Sequence, residues 1–439
     1  MPTRLRRQLG KLVLPVWRWL LETDLPSRAA PVIAMPLLVA VALLARGQTA
    51  VRRLARRRPR LIWGPVPVIS LKYWSEALRR RGYDSHTCVY GVMVINTRQD
   101  FDVVRALTWR WPRVGIQSEW YLAFALALLR ADIFLCFFEG SFLYSSRLQR
   151  LEGPLLKLAG KHLVVSPYGG DIAVPGHLGA AEERLLQDYP QFIEEGPQIK
   201  ERVDYYCHWA DVVVRNYQYG YMPRADVIWP TELAIDTDLW PEVPPAGGDG
   251  RDQPVRVIHA PNHRRIKATD LLIRAVEELR AEGLQIELDL LERRPNEEIR
   301  EAMLKADIVA DQFVAGYAMF AIEGMSTGKP VLSAISTIPP DVLDTEAMRQ
   351  CPIVDADLDS LKSSLRHMVE HPEERKRIGR AGREFALAYH SLDAVGRAWE
   401  RIFDHLWRGK PLPDQLPTGA DLDSAAGPPS VEAQAGLPR

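Results

Sequence analysis

The 439-residue chain is 47% hydrophobic and 26% charged, with 56 basic residues balanced by 56 acidic ones. That is enough apolar material for two α/β domains with extras, and it lacks the basic, aromatic-interleaved face of a nucleic-acid binder. The balance hides an asymmetry. Residues 1–60 carry thirteen Arg and Lys against Glu22 and Asp24, so the remainder is net acidic. A basic arm on an acidic body points to an anionic membrane surface as partner, with no nucleic acid. The four cysteines, Cys88, Cys136, Cys207 and Cys351, are scattered. Their spacing fits neither a metal site nor a disulfide framework, which favours a reduced, cytoplasmic setting.

Residues 1–59 form the first expected region, a basic and apolar membrane-associating segment. Arg4, Arg6, Arg7, Lys11 and Arg18 alternate with Leu9, Leu12, Val13, Trp17 and Trp19, a pattern that lies in a headgroup layer. An apolar run from Ala29 to Ala45 follows, interrupted by Pro31 and Pro36. Its seventeen residues span about 25 Å as a helix against a hydrocarbon core of about 30 Å, and the prolines shorten the usable helix. Crossing the bilayer and lying on it are both open. Arg52, Arg53, Arg56, Arg57, Arg58 and Arg60 then place the body on the cytosolic side.

Residues 60–240 read as strand–loop–helix–strand units of a parallel sheet, which set ligands at the carboxyl ends of their strands. Leu61–Trp63 is a strand, the loop from Gly64 to Ser70 a candidate wall of the cleft, and Lys72–Arg81 a helix. Ile133–Phe138 and His162–Ser166 are further strands, with helices at Trp120–Leu129, near Leu151–Ala159 and at Gln198–Trp209. The second of these strands runs into Tyr168, Gly169, Gly170 and Asp171. The two glycines permit close backbone approach to a ligand, and Asp171 is either a ligand-facing carboxylate or a turn-capping one. Residues 241–254 are rich in Pro and Gly and read as a linker.

Residues 255–409 repeat the pattern. A strand near Arg256–Ala260 leads into a loop with Arg264, Arg265 and Lys267, then a helix from Asp270 to Glu282 with Thr269 as its cap. Cations at a helix N-terminus need an anionic counterpart, and a diphosphate would serve. The segment from Asp307 to Ser333 holds a strand (Ile308–Ala310), a glycine-bearing loop (Val314–Ala318), a helix from about Met319 to Thr327 and a second strand at Val331. Its loop and helix start, Gly316, Tyr317, Ala318 and Met319, offer backbone N–H groups to a nucleotide diphosphate. Glu323, one turn on, has a carboxylate for ribose hydroxyls. Residues 410–439 are Pro-, Gly-, Ala- and Asp-rich and are expected to be disordered.

This segment resembles the donor-binding signature of retaining GT-B-fold glycosyltransferases, of the group 1 type that builds bacterial polysaccharides and glycolipids. Glu323, Gly328, Pro330 and Val331 match its second glutamate and the turn after it. The first glutamate would fall at Ala315 and is missing, with Asp311 the nearest carboxylate. The resemblance runs from Arg60 to Trp407. It implies two Rossmann-like domains facing a cleft, closed by a final helix at Leu392–Trp407. It further implies transfer of a sugar from a nucleotide-sugar to the hydroxyl of a glycan or lipid-linked acceptor, with retention.

In that reading Arg265 and Lys267 hold the donor diphosphate and stabilise the leaving group, assisted by Arg264. Ala268 stands where the family usually has glycine. Tyr168, Gly169 and Gly170, with Gly64, lie on the acceptor side, and Asp171 orients the acceptor hydroxyl or takes its proton. No cofactor and no metal are implied; Asp421 and Asp423 fall in the tail. Two other readings stay open. One is a catalytically inactive nucleotide-binding scaffold, favoured by Ala315. The other is an NAD-dependent oxidoreductase, disfavoured by the lack of a G-x-G-x-x-G turn.

Overall fold

The computed structural model describes residues 25–93, 96–104, 112–187 and 189–417. The basic stretch before Leu25 and the residues after Pro417, Asp421 and Asp423 included, lie outside the described residues.

The chain builds two parallel sheets with helices, an α/β architecture. The first contains β1 (Leu61–Trp63), β2 (Ser85–Val89), β3 (Val103–Val104), β4 (Ile133–Phe137), β5 (His162–Ser166), β6 (Val212–Arg215) and β7 (Val227–Ile228), in the order β3-β2-β1-β4-β5-β6-β7. The second contains β8 (Val255–His259), β9 (Ile286–Leu290), β10 (Ile308–Ala310), β11 (Val331–Ser333) and β12 (Val354–Asp355), in the order β12-β11-β10-β8-β9. Register is set by pairs such as Val309 opposite Val331 and Ile308 opposite Val257. β1, β4, β10 and β11 are buried along their whole length, as continuous apolar runs in parallel sheets must be.

By contacts the chain divides into two compact units. One comprises Met1–Leu71, Tyr83–Val165 and Tyr205–Asp211; the other comprises Lys72–Gly82, Ser166–Asp204 and Val212–Arg439. In the first unit the N-terminal helix runs unbroken from Leu25 to Leu54 with Pro31 and Pro36 inside it. The expectation that the prolines shorten it is therefore corrected. Each proline removes one bond from a long ladder, and the helix packs along a second one, Pro112–Arg130, that supports it. Gly64 ends β1 at φ +148°, where a Cβ would stand 2.0 Å from the Cys88 carbonyl oxygen. Its place is explained by close passage of backbone against β2.

In the second unit the final helix, Leu392–Arg408, carries Trp399, which meets Trp74 edge-on at 5.4 Å and Trp229 at 5.1 Å. Arg81 binds Asp393 at 2.7 Å and pairs with Glu400 on the same helix. Residues 410–417, expected to be disordered, are ordered. The Ile228 amide donates to the Asp414 carbonyl and the Leu416 amide to the Ile228 carbonyl, both at 2.9 Å, and Leu416 is buried. The short edge strand β7 offers unpaired backbone groups, and this stretch satisfies them.

Candidate functional site

Strand β10 delivers Asp311 one residue past its end, and the loop after β8 delivers Lys267. Lys267 Nζ lies 2.5 Å from Asp311 Oδ1, and both side chains are buried. Asp311 Oδ2 accepts the Ala318 amide at 2.7 Å, so the carboxylate also anchors the start of the helix Met319–Ser326. His259 closes the floor of this region. Its Nδ1 meets the Ala310 carbonyl at 2.8 Å, its Nε2 meets Thr269 Oγ1 at 2.9 Å, and burial pushes its pKa down to about 4. It is a neutral structural imidazole.

Glu323 is buried in the same helix, and its carboxylate makes no hydrogen bond among the described residues. Burial, then repulsion from Asp311, push it up to about 8, with Lys267 pulling the other way. A mostly buried carboxyl without a hydrogen bond is costly to keep, which makes Glu323 a candidate site residue.

The loop differs from expectation in three respects. Ala268, not Thr269, is the residue before the helix Thr269–Ala281; it has left-handed backbone (φ +50°, ψ +42°) and gives no side-chain cap. That is the conformation glycine favours, which makes the Gly-to-Ala departure physically meaningful. Arg264, expected to await a diphosphate, is bound by Asp270 at 2.5 Å and by Glu292 at 3.0 Å. Lys267 likewise has Asp311. The protein's own carboxylates therefore offset Arg264 and Lys267, and Arg265 lies at the surface.

The amides at the helix start are partly occupied as well. Gly316 N–H donates to Thr337 Oγ1 at 2.9 Å and Ala318 N–H donates to Asp311. The amides of Tyr317, Met319 and Phe320 have no acceptor among the described residues. The Tyr317 ring stacks on Tyr217 at 4.9 Å and is fully buried. Its role is packing. With both Asp311 oxygens engaged internally, Asp311 is not a free substitute for the glutamate missing at Ala315.

On the opposite wall, Asp171 is buried and its Oδ1 accepts the amides of Tyr168 at 2.9 Å and Gly169 at 3.0 Å. Gly169 has φ +121°, and a Cβ there would stand 3.1 Å from Gln218 Nε2. Beneath this loop lies a network that sequence reasoning missed. Ser166 Oγ donates to Glu232 Oε2 at 2.6 Å and Asn216 Nδ2 to Glu232 Oε1 at 2.5 Å. Asn216 Nδ2 also reaches the Pro167 carbonyl at 3.0 Å, and Gln218 Nε2 the Tyr168 carbonyl at 2.9 Å. Burial raises Glu232 to about 7, against the opposing pull of the Ser166 and Asn216 bonds. A lone glutamate in an irregular run gives no periodic signal, so only the fold finds it.

These two walls line a cavity of about 520 Å³. Tyr168, Gly169 and Gly170 stand on one side; Gln312, Ala315, Gly316 and Ala318 stand on the other, with Tyr217 and His263 between. All its lining residues belong to the second unit. Asp171, Gly64, Lys267 and Glu323 do not line it. Its volume suits a sugar nucleotide or a sugar-sized acceptor, with aromatic faces for ring stacking.

No protein-family model matches the chain. A curated relative, the MMP α-(1→4)-mannosyltransferase of Mycolicibacterium hassiacum, is 24% identical over 197 residues, which is 39% of this chain and 47% of that protein. The chain thus matches about half the length of that relative. Among solved structures, the catalytic domain of starch synthase IV from Arabidopsis thaliana, bound to ADP and acarbose, matches with a TM-score of 0.50 and 11% identity. The match covers 80% of this chain and 100% of that one. Anabaena HepE in complex with UDP-glucose matches with a TM-score of 0.49 and 14% identity over 79% of this chain and 99% of that one. With two parallel sheets and their helices in the arrangement described, the chain has the GT-B fold of the glycosyltransferases.

Proposed function

We propose that the protein is a glycosyltransferase that moves a sugar from a nucleotide-sugar donor to an acceptor hydroxyl with retention. It would serve polysaccharide or glycolipid assembly at the cytosolic face of a membrane. The observation that carries this reading is the mostly buried Glu323, without a hydrogen bond among the described residues, beside the Lys267–Asp311 pair and one turn into the helix whose leading residue, Ala318, lines the cavity. Glu323, behind the cavity wall, is the carboxyl we assign to the two ribose hydroxyls. The amides of Tyr317, Met319 and Phe320 and the guanidinium of Arg265 are the groups for the diphosphate, with Lys267 adding positive field from below. Charge developing on the departing diphosphate is the term such groups stabilise most. Tyr168, Gly169 and Gly170 form the acceptor wall, held by Asp171 as a positioning residue. The mannosyltransferase relative and the ADP-bound starch synthase support the choice of a nucleotide-sugar as donor and a glycan as acceptor.

The test is thermal unfolding with UDP, GDP, ADP and their sugars. Ligand at a hundred times its dissociation constant adds about 2.7 kcal/mol of stability. A shift with one nucleotide class that Glu323→Ala abolishes supports the donor site; no shift in the folded protein overturns it. Retention is read from the anomeric coupling of the product by NMR. One observation favours a second reading, a nucleotide-binding scaffold without turnover: Ala315 lines the cavity where the family has a glutamate, and Asp311 is fully engaged elsewhere. A donor-induced shift with no product under any acceptor would decide for it.

A further inference from the structure

The helix Leu25–Leu54 has two faces of different kinds. Leu38, Ala42, Ala45 and Thr49 form one buried stripe at helical spacing against the first unit. The attachment is polar at its C-terminal end. Arg46 Nη1 donates to the Leu158 carbonyl at 3.3 Å, and Arg52 Nε meets Asp132 Oδ2 at 3.0 Å. Lys161 Nζ donates to Thr49 Oγ1 at 2.6 Å. At about 100° per residue the opposite side carries Val32, Ile33, Leu37, Leu43, Leu44 and Val51. These are exposed by between 53% at Leu43 and 73% at Val32, with no charged residue among them.

Only 17% of the most apolar window of this helix is buried within the protein, so it is not a core helix. Nor is its middle free to cross a bilayer. A crossing that begins near Ala29 would put Leu38, Ala42 and Ala45 in hydrocarbon, yet these residues are packed into the folded body.

A hollow of about 400 Å³ opens on the outward side, lined by Leu44, Gly47, Gln48, Val51, Arg52 and Arg60. Beneath it Asp132 binds Arg52, Arg60 and Lys161, at 3.0, 3.1 and 3.4 Å. Arg52 and Arg60 line the hollow against that one carboxylate, with Lys161 fully buried behind it, so the hollow has a surplus of positive charge. Burial, with repulsion from Arg60 and Arg52, lowers Lys161 to about 8 in spite of Asp132. Arg53, Arg56, Arg57 and Arg58 follow on the exposed surface.

We infer that this helix lies in the plane of an anionic bilayer without crossing it, its outward face in the acyl–headgroup boundary and a lipid phosphate over the Arg52–Arg60 hollow. An uncharged apolar face beside clustered guanidinium groups suits that surface. The inference deepens the membrane location proposed above and is independent of catalysis.

The test uses the full chain. In inside-out membrane vesicles from expressing cells, Ser27→Cys is probed with a membrane-impermeant maleimide in a Cys351→Ser background, with Glu277→Cys as the body control. Equal labelling of both positions before detergent is expected; labelling of Ser27→Cys only after detergent overturns the in-plane arrangement. Flotation of purified protein with phosphatidylglycerol-containing vesicles is expected to exceed that with phosphatidylcholine alone at least tenfold. It should be lost in the triple variant Val32→Ser, Leu37→Ser, Leu44→Ser. Equal flotation with both compositions, or none with either, overturns the lipid assignment and in the latter case points to a protein partner on this face. The nucleotide-induced thermal shift is expected to be the same in the triple variant as in wild type, which separates failure here from failure of the transferase reading.

Discussion

Lys267 and Asp311 form a buried ion pair whose second carboxylate oxygen holds the Ala318 amide, so one side chain joins the loop after β8 to the helix that follows β10. Removing one partner of such a pair leaves a buried charge and costs about 3–5 kcal/mol. Lys267→Ala is expected to lower the unfolding free energy measured in urea by that amount. Lys267→Met combined with Asp311→Asn keeps the Ala318 bond and removes both charges, so most of the stability returns while donor binding does not. Recovery of both together would mean that Lys267 has no part in holding the donor.

Glu323 gives a pH dependence of definite sign. Its pKa stands at about 8 in the folded protein against an ordinary 4.5, because of burial and then of Asp311. The folded state therefore holds a proton that the unfolded chain releases between those values, and stability falls as pH rises through the window. A tenfold difference in proton affinity between the two states is worth about 1.4 kcal/mol. Replacing Glu323 with Gln is expected to narrow the stability difference between pH 5 and pH 8 by about 2–4 kcal/mol. Glu152 and Glu232, both raised to about 7 chiefly by burial, leave a residual slope of the same sign in the variant. An unchanged slope in Glu323→Gln would show that the carboxyl is solvated.

Ala268 offers a gain. Its left-handed backbone costs a non-glycine residue about 1–2 kcal/mol. Part of that is returned by the greater freedom of glycine in the unfolded chain, so Ala268→Gly is expected to stabilise by about 0.5–1 kcal/mol. Differential scanning calorimetry reads this directly. Nucleotide affinity should hold or improve, since the loop geometry is unchanged.

Much of this architecture is legible in the sequence where apolar runs are long or bounded by glycine and proline. Strand Ile308–Ala310 and the helix Met319–Ser326 fall where the run and the Gly328-Lys329-Pro330 stop place them. Three things were not legible, each for a physical reason. The Lys267–Asp311 pair joins residues 44 positions apart, and no periodicity encodes it. The helix Leu25–Leu54 continues through Pro31 and Pro36, each of which removes only one bond from a long ladder, so local propensity alone misplaces its usable length. Ordering of residues 410–417 depends on the exposed edge of β7, a property of the fold and not of the tail's composition.

Glu232 is the last and most discriminating case. It receives bonds from Ser166 and Asn216, and Asn216 and Gln218 carry the connection to the Pro167 and Tyr168 carbonyls of the loop above. Glu232→Ala strands the buried Ser166 hydroxyl, at a cost of about 1–3 kcal/mol, and takes one bond from the Asn216 amide, which keeps the Pro167 carbonyl. The loss should concentrate in the segment that bears Tyr168, Gly169 and Gly170. Those residues line the cavity on the wall proposed for the acceptor, while Glu323 and Lys267 are untouched. The expected outcome is therefore a split: the nucleotide-induced thermal shift persists in Glu232→Ala, and KM for the acceptor rises severalfold. Glu232→Gln, which keeps the shape and one acceptor oxygen, should fall between the two. A variant that loses nucleotide binding and acceptor affinity alike would show that the network supports the whole unit and not this wall in particular.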